Sequence, residues 1–116
     1  MNWAYITGFF DGEGSIVFYR KKTGSNLIYP IMCFTNANRK VLEEIHQFVK
    51  CGGISVDHYA DEFRNHKQTF RLQIAKFSKL RELASQMLPH SIVKQEKLTQ
   101  LLQVLNEPRL DGRRKA

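Results

Sequence analysis

The 116-residue sequence contains only two cysteines, Cys33 and Cys51, and neither has a second cysteine or a histidine at zinc-ligand spacing. This scarcity disfavours a secreted disulfide scaffold and a zinc finger, and it favours a reduced intracellular setting. No apolar run approaches the ~20 residues of a membrane span, and the opening Met1-Asn2-Trp3 lacks the basic start of a signal peptide. We therefore expect a soluble, unprocessed intracellular protein. The choice between cytoplasm or nucleoid and an organelle such as a mitochondrion or chloroplast stays open.

Acidic residues are also in short supply, with 11 Asp and Glu against 18 Lys and Arg and a net charge of +7. A basic chain favours an anionic partner, either nucleic acid or an acidic membrane surface. No predicted helix concentrates lysine opposite a strongly apolar face, which argues against the membrane. The length suits one compact domain. We assign residues 1–107 to that domain and residues 108–116 to a basic tail that we expect to be flexible.

The apolar periodicity predicts an α+β domain with the element order αββαββα(α). Residues 3–10 predict a buried helix that ends in a turn at Gly12 and Gly14, because glycine accepts backbone angles that other residues resist. Asn38 and Ser78 are predicted to cap the second and third helices, and a fourth is expected over residues 91–106 with Ile92 facing the core. Strands at about 15–22, 27–35, 54–59 and 69–75 would form one four-stranded antiparallel sheet with the helices packed on one face.

The other face of the predicted sheet would meet solvent or a ligand. Its residues mix positive charge, hydrogen-bonding groups and aromatic edges, which suits the base edges and phosphates of a DNA major groove. A plain solvated face is the alternative on composition alone. The predicted DNA-contacting set is Ser15, Val17, Tyr19, Lys21, Tyr29, Ile31, Cys33, Ser55, Asp57, Tyr59, Thr69, Arg71 and Gln73.

The most specific pattern is the stretch Ile6-Thr7-Gly8-Phe9-Phe10-Asp11-Gly12-Glu13-Gly14-Ser15-Ile16, an apolar helix followed by two carboxylates among glycines and the start of a strand. It resembles the signature of the LAGLIDADG homing endonucleases, which cut long double-stranded DNA sites, and it occurs once. The resemblance implies a DNA-binding saddle made by the sheet. It also implies a homodimeric, intron-encoded type of enzyme that hydrolyses both strands of a pseudo-palindromic target.

The resemblance further implies a role for each residue of the motif. Glu13, with the Gly12 carbonyl beside it, would be the catalytic ligand of Mg²⁺ or of another divalent cation such as Mn²⁺. Asp11 would support the turn by binding backbone donors. A dimer interface would be formed by Ile6, Thr7, Gly8 and Phe9, packed against the same helix of a second copy.

Three residues outside the motif complete the implied catalytic site: Asn36, Arg39 and Lys94. Lys40 is a rival to Arg39, and for both Arg39 and Lys94 a solvated charge at a helix end is the alternative. The alternative function is a non-cleaving nucleic-acid-binding protein of the same fold, either a maturase that binds intron RNA or a DNA-binding regulator.

Overall fold

A computed structural model describes residues 1–20, 28–61, 63 and 67–107. The predictions made for Lys21 and for the tail at 108–116 lie outside these residues, and the division at residue 107 stays a prediction. The described elements confirm the α+β class and its order. They are α1 (Trp3–Glu13), β1 (Gly14–Arg20), β2 (Ile28–Asn36), α2 (Arg39–Val49), β3 (Gly53–His58), β4 (Thr69–Ile74), α3 (Phe77–Met87), a 3₁₀ turn (Leu88–His90) and α4 (Gln95–Asn106).

The four strands form one sheet in the order β1-β2-β4-β3, and all neighbouring strands are antiparallel. Alternate side chains of the two central strands are fully buried under the helices, among them Met32 and Phe34 of β2 and Leu72 and Ile74 of β4. Because strand side chains alternate between faces, the residues between these positions point away from the helices. One face of the sheet is therefore core, and the other, which we call the outward face, is not covered by any helix of the described residues.

The predicted glycine turn after residue 10 is wrong, because α1 continues through Asp11, Gly12 and Glu13. Gly14 then enters β1 with ordinary extended angles, φ −101° and ψ 167°. Glycine is required there by close packing, since a Cβ on Gly14 would lie 2.1 Å from Cδ1 of the buried Phe10 ring. A Cβ on Gly12 would meet nothing within 4 Å. The two glycines therefore have different roles.

Asn38 caps α2 as predicted, and its side chain accepts hydrogen bonds from the backbone N–H groups of Lys40 and Val41. Past the end of α2, Gly52 has a φ of +95°, and a Cβ there would lie 2.5 Å from the Gln73 carbonyl oxygen. Ser78 does not cap α3, because the N-cap position belongs to Lys76 and has no side-chain hydrogen bond.

The fourth helix begins four residues later than predicted, at Gln95. Ile92 consequently lies outside the helix, and 87% of its surface is exposed instead of facing the core. The described helices, the longest of which has 12 residues, include none with the length and apolar character to cross a bilayer.

We expect Gly14→Ala to lower the free energy of unfolding by about 1–3 kcal/mol, because the added methyl group would displace a ring that the core surrounds. Gly53→Ala, on β3, is the matched control. It should be neutral or stabilising by up to ~1 kcal/mol, since a Cβ on Gly53 would meet nothing within 4 Å and alanine loses less backbone entropy on folding. Chemical denaturation at one protein concentration measures both. Equal stability of the two variants would contradict this account of Gly14.

Candidate functional site

The carboxyl end of α1 lies at one edge of the sheet. Glu13 is the last residue of α1 and its side chain is exposed. The next residue, Gly14, pairs with Phe34 of β2, and β2 ends two residues later at Asn36. The sheet register therefore brings the end of the motif helix and the end of β2 to the same edge.

Asp11, on the last turn of α1, binds the segment that precedes α4. Its carboxylate accepts hydrogen bonds from the Ser91 hydroxyl at 2.6 Å and from the backbone N–H groups of Ile92 at 2.8 Å and Val93 at 3.3 Å. Ser91 is 2% exposed, and its Oγ also accepts the N–H of Lys94 at 3.1 Å. The three bonds to Asp11 and the Ser91–Lys94 bond hold residues 91–94 in place ahead of α4, which begins at Gln95.

Sequence reasoning gave Ser91 no functional role beyond the start of a helix. The structure makes it the link between Asp11 and the backbone of Lys94. A serine shortly after Pro89 and before an apolar helical pattern is a recognisable capping position, so a local signal was present. Its partner lies 80 residues earlier in the chain, and spacing alone could not identify it.

Burial raises the pKa of Asp11, but the hydrogen bonds from Ile92, Ser91, Val93 and the Lys94 backbone outweigh it and bring that pKa below its usual 3.8. The ionised form is therefore the one that the folded protein stabilises. This stabilisation is fully present above the pKa of the unfolded chain, and it is lost as the pH falls through the lower folded pKa.

Lys94 reaches the same helix end from the other side. Its Nζ donates to the Asp11 carbonyl oxygen at 2.8 Å and lies 5.6 Å from the centre of the Phe10 ring. A cation at the carboxyl end of a helix binds a carbonyl that has no partner in the helix and interacts favourably with the helix dipole. Lys94 thus caps α1, and its ammonium keeps N–H donors for a further acceptor.

Glu13 places a negative charge at the negative end of α1, where the last carbonyls, including that of Gly12, have no partner in the helix. This combination attracts a cation. Within the described residues, no group of three or more His, Cys, Asp or Glu side chains could hold a metal ion. Within the described residues Glu13 has no acidic partner for such a site, and a hard divalent cation there would need further oxygen ligands.

Asn36 and Arg39 border the same edge of the sheet. The Asn36 side chain accepts the backbone N–H of Asn38 at 2.7 Å, which fixes the turn into α2. Arg39 is paired through Nε with Glu43 at 3.0 Å, and its guanidinium lies 5.3 Å from the centre of the Phe70 ring. Phe70 is the partner of Asn36 in the sheet. Lys40 is exposed, and its only described hydrogen bond is the backbone bond to Asn38.

The exposed side of α1 differs from the predicted interface. Ile6 and Thr7 are completely buried in their own core, and the Thr7 hydroxyl donates to the Trp3 carbonyl oxygen at 2.7 Å. The expectation that these two residues face a second copy is therefore wrong. Phe9 is half-buried and Gly8 is exposed. The side that α1 turns to solvent consists of Ala4, Tyr5, Gly8 and Gly12.

The described outward face confirms the predicted alternation but not the accessibility of every residue. Cys33 lies between Ser15 on β1 and Gln73 on β4, and these neighbours leave it 3% exposed. Burial raises the pKa of its thiol, opposed by the nearby Arg71 guanidinium. The prediction that Cys33 contacts DNA is wrong because the thiol is covered. The remaining predicted members that are exposed or half-buried are Ser15, Val17, Tyr19, Tyr29, Ile31, Ser55, Asp57, Thr69, Arg71 and Gln73.

Two features of β3 were not predicted. A bulge between Val56 and His58 leaves Asp57 without a partner in the register, and Tyr59 lies beyond the end of the strand with 75% of its surface exposed. The Asp57 carboxylate contacts Arg71 Nε at 3.4 Å and His58 Nδ1 at 3.1 Å. Arg71 and Asp57 are the only Lys, Arg, Asp or Glu residues on the described outward face.

We expect Asp11→Asn to lower the free energy of unfolding at pH 7 by about 1–3 kcal/mol, because an amide cannot replace an ionised acceptor toward all three donors. The difference between wild type and variant should stay constant above about pH 5. It should shrink as the pH falls below about 4, where the wild-type carboxylate protonates. Denaturation at a series of pH values measures this difference, and a constant difference down to pH 3 would contradict the assignment.

Comparison with known proteins agrees with this geometry. The family model of the LAGLIDADG-like domain matches residues 2–87, while no curated protein matches the chain in sequence. One similar solved structure is the homing endonuclease I-CvuI in complex with the I-CreI target, with a TM-score of 0.69 and 17% identity over 87% of this chain and 63% of that chain. The archaeal intron-encoded homing endonuclease I-Vdi141I, complexed with DNA, has a TM-score of 0.67 and 22% identity over 87% of this chain and 64% of that chain. The homing endonuclease I-TnaI has a TM-score of 0.67 and 22% identity over 89% of this chain and 70% of that chain. This chain thus spans 63–70% of their lengths. Because the family model covers most of the chain and includes the helix with both carboxylates, the chain belongs to the LAGLIDADG family.

Proposed function

We propose that this protein is a site-specific double-strand DNA endonuclease that works as a homodimer and requires a divalent cation. The observation that carries the proposal is the position of Glu13. Its exposed carboxylate lies at the negative end of α1, at the edge of a sheet whose outward face has no helix over it. Strands of such a face can enter the major groove as a β-ribbon, so DNA on that face would pass the end of α1.

The donor set fits a cation that is shared with a substrate. Glu13 and the Gly12 carbonyl supply hard oxygen ligands, and the phosphates of DNA would supply the others. When bound, Mg²⁺ or another divalent cation such as Mn²⁺ would stabilise charge on the phosphate and make a water molecule more acidic. The solved I-CvuI complexes hold target DNA in the presence of Mg or of Ca, which supports a divalent cation.

Basic side chains of the chain would stabilise the charge that develops during hydrolysis. Lys94 is held at the end of α1 by the Asp11 carbonyl, so its remaining donors would meet a phosphate oxygen without a large loss of side-chain entropy. Arg39 is restrained by Glu43 and the Phe70 ring. Asn36 ends β2, and its amide nitrogen, which the bond to Asn38 does not use, would orient water. Proton transfer to solvent water then requires no base on the protein.

The motif supplies one acidic helix end, so cutting both strands would need a second such end, which a second copy of this chain would supply. The exposed side of α1 suits this contact, because Ala4, Gly8 and Gly12 have little or no side chain and let two helices approach closely. A two-fold axis along this contact would place two Glu13 residues side by side. The same symmetry would align two sheets on one DNA duplex and would explain a pseudo-palindromic target.

A non-cleaving nucleic-acid-binding protein is the second candidate, in the form of a DNA-binding regulator or an intron RNA maturase. The observation in its favour is that Lys94 and Asp11 have structural partners in the fold. Only Glu13 among the motif acids is exposed and makes no described hydrogen bond or ion pair. Substitution of Glu13 therefore distinguishes the two functions.

We expect Glu13→Gln to abolish DNA cleavage and to leave metal-free DNA binding within about twofold of wild type, because the amide keeps the size of the side chain but loses the anionic ligand. The matched control is Glu82→Gln on α3, which removes only a surface ion pair with Lys79 and should cut normally. Target DNA is sought in a copy of the host gene that lacks the intron encoding the protein, by incubating the protein with the region around the insertion point. The RNA of that intron is tested in parallel. Cleavage retained by Glu13→Gln would refute the proposed site.

We expect Gly8→Leu to convert the dimer to a folded monomer. A Cβ on Gly8 meets nothing within 4 Å in its own protomer, so the larger side chain affects only a partner helix. Ser85→Leu, at an exposed position of α3, is the control and should remain dimeric. The molecular mass in solution at micromolar concentration measures the effect. A wild type that is monomeric at that concentration would contradict the dimer.

A further inference from the structure

Arg71 occupies the middle of the outward face, where it pairs with Thr35 of β2 and Ser55 of β3. Only 35% of its side chain is exposed, and its Nε is buried. Within the part of the chain that the structure describes, Nε forms an ion pair with Asp57 Oδ1 at 3.4 Å and no hydrogen bond. The guanidinium is thus restrained on its Nε side, and none of the described hydrogen bonds uses its Nη groups.

A β-bulge directs Asp57 toward this arginine. Val56 pairs with Phe70 and His58 pairs with Thr69, so Asp57 is the extra residue of β3. Bulges of this kind re-aim a side chain relative to the regular alternation. Asp57 is 19% exposed, and its second oxygen is 3.1 Å from His58 Nδ1. Both oxygens of the carboxylate are therefore engaged, and Asp57 itself presents little surface to a ligand.

The charges of this pair exclude one kind of DNA contact. A carboxylate beside an arginine cancels its long-range attraction for phosphate and repels the phosphate itself. The pair is therefore poorly suited to backbone binding. A base edge carries no net charge, and guanine presents two acceptors, O6 and N7, in the geometry that a guanidinium matches with two parallel hydrogen bonds.

We infer that Arg71 reads one guanine in each half of the DNA target through its Nη groups, and that Asp57 is a positioning residue that holds the guanidinium for this contact. The inference deepens the proposed function and rests on its DNA-binding part. Lysine cannot replace arginine here, because a single ammonium group does not match both acceptors. Glutamine matches adenine through the N6 and N7 positions instead.

The test is a selection from randomised double-stranded DNA with the full chain in EDTA, so that binding is measured without cleavage. Wild type should enrich guanine at one position of each half-site. Arg71→Lys should reduce that preference roughly 5- to 100-fold. Arg71→Gln should change the preferred base at the same position from guanine to adenine. Gln73→Ala, on the same strand, is the control and should alter a different position.

Asp57→Asn separates positioning from a purely structural role. It should weaken the guanine preference at the same position and raise the affinity for unrelated DNA, with a steeper salt dependence, because an anion has been removed from the face. Circular dichroism establishes that each variant is folded. A guanine preference that survives Arg71→Lys, or that is unchanged in Asp57→Asn, overturns the inference. If wild type enriches a consensus in which no position responds to substitution of Arg71, only the inference about Arg71 is overturned. If wild type enriches no sequence, the proposed site-specific function is overturned.

Discussion

The contact between the Asp11 carboxylate and the Ser91–Val93 segment is the interaction on which the candidate site depends. It joins the end of α1 to the start of α4 across 80 to 82 residues of sequence. Glu13 projects from the same helical turn, so the bonds that restrain Asp11 also restrain the helix end that carries the exposed acid. Lys94 approaches this end through the Asp11 carbonyl. The motif therefore supplies the acids, and a distant segment gives them a rigid setting.

Periodicity predicted the architecture because the fold buries one side of each element. The sheet hides Met32, Phe34, Leu72 and Ile74 on a single face, and that alternation is visible in the sequence. Element ends were harder to predict. The amide of Asn38 made the start of α2 readable from local chemistry, whereas the segment ahead of α4 is held by an acceptor from α1. A long-range hydrogen bond leaves no periodic signal at the position that it controls.

The sequence predicted which residues form the candidate site better than it predicted the directions in which their side chains point. A helix that is apolar all round does not say which side faces the core, and Ile6 was therefore placed on the wrong side. Strand alternation gave the correct face for Cys33, but the neighbouring Ser15 and Gln73 decide its burial. The bulge at Asp57 shifts the alternation by one residue. Covering neighbours and bulges are properties of paired strands, and a single strand pattern does not contain them.

In the proposed DNA complex, the charged side chains that attract DNA would lie apart from the polar side chains that select its bases. The chain carries +7 overall, but Arg71 and Asp57 leave the described outward face without net charge. In the proposed complex, attraction toward DNA would then come from cations outside that face, such as Arg20 at the end of β1 and Lys67 before β4. Such cations neutralise phosphates of any sequence. Because the face itself would add little to this attraction, substitutions among its uncharged polar side chains would alter the preferred target with little effect on the general affinity for DNA, whereas removal of the Asp57 charge would change both.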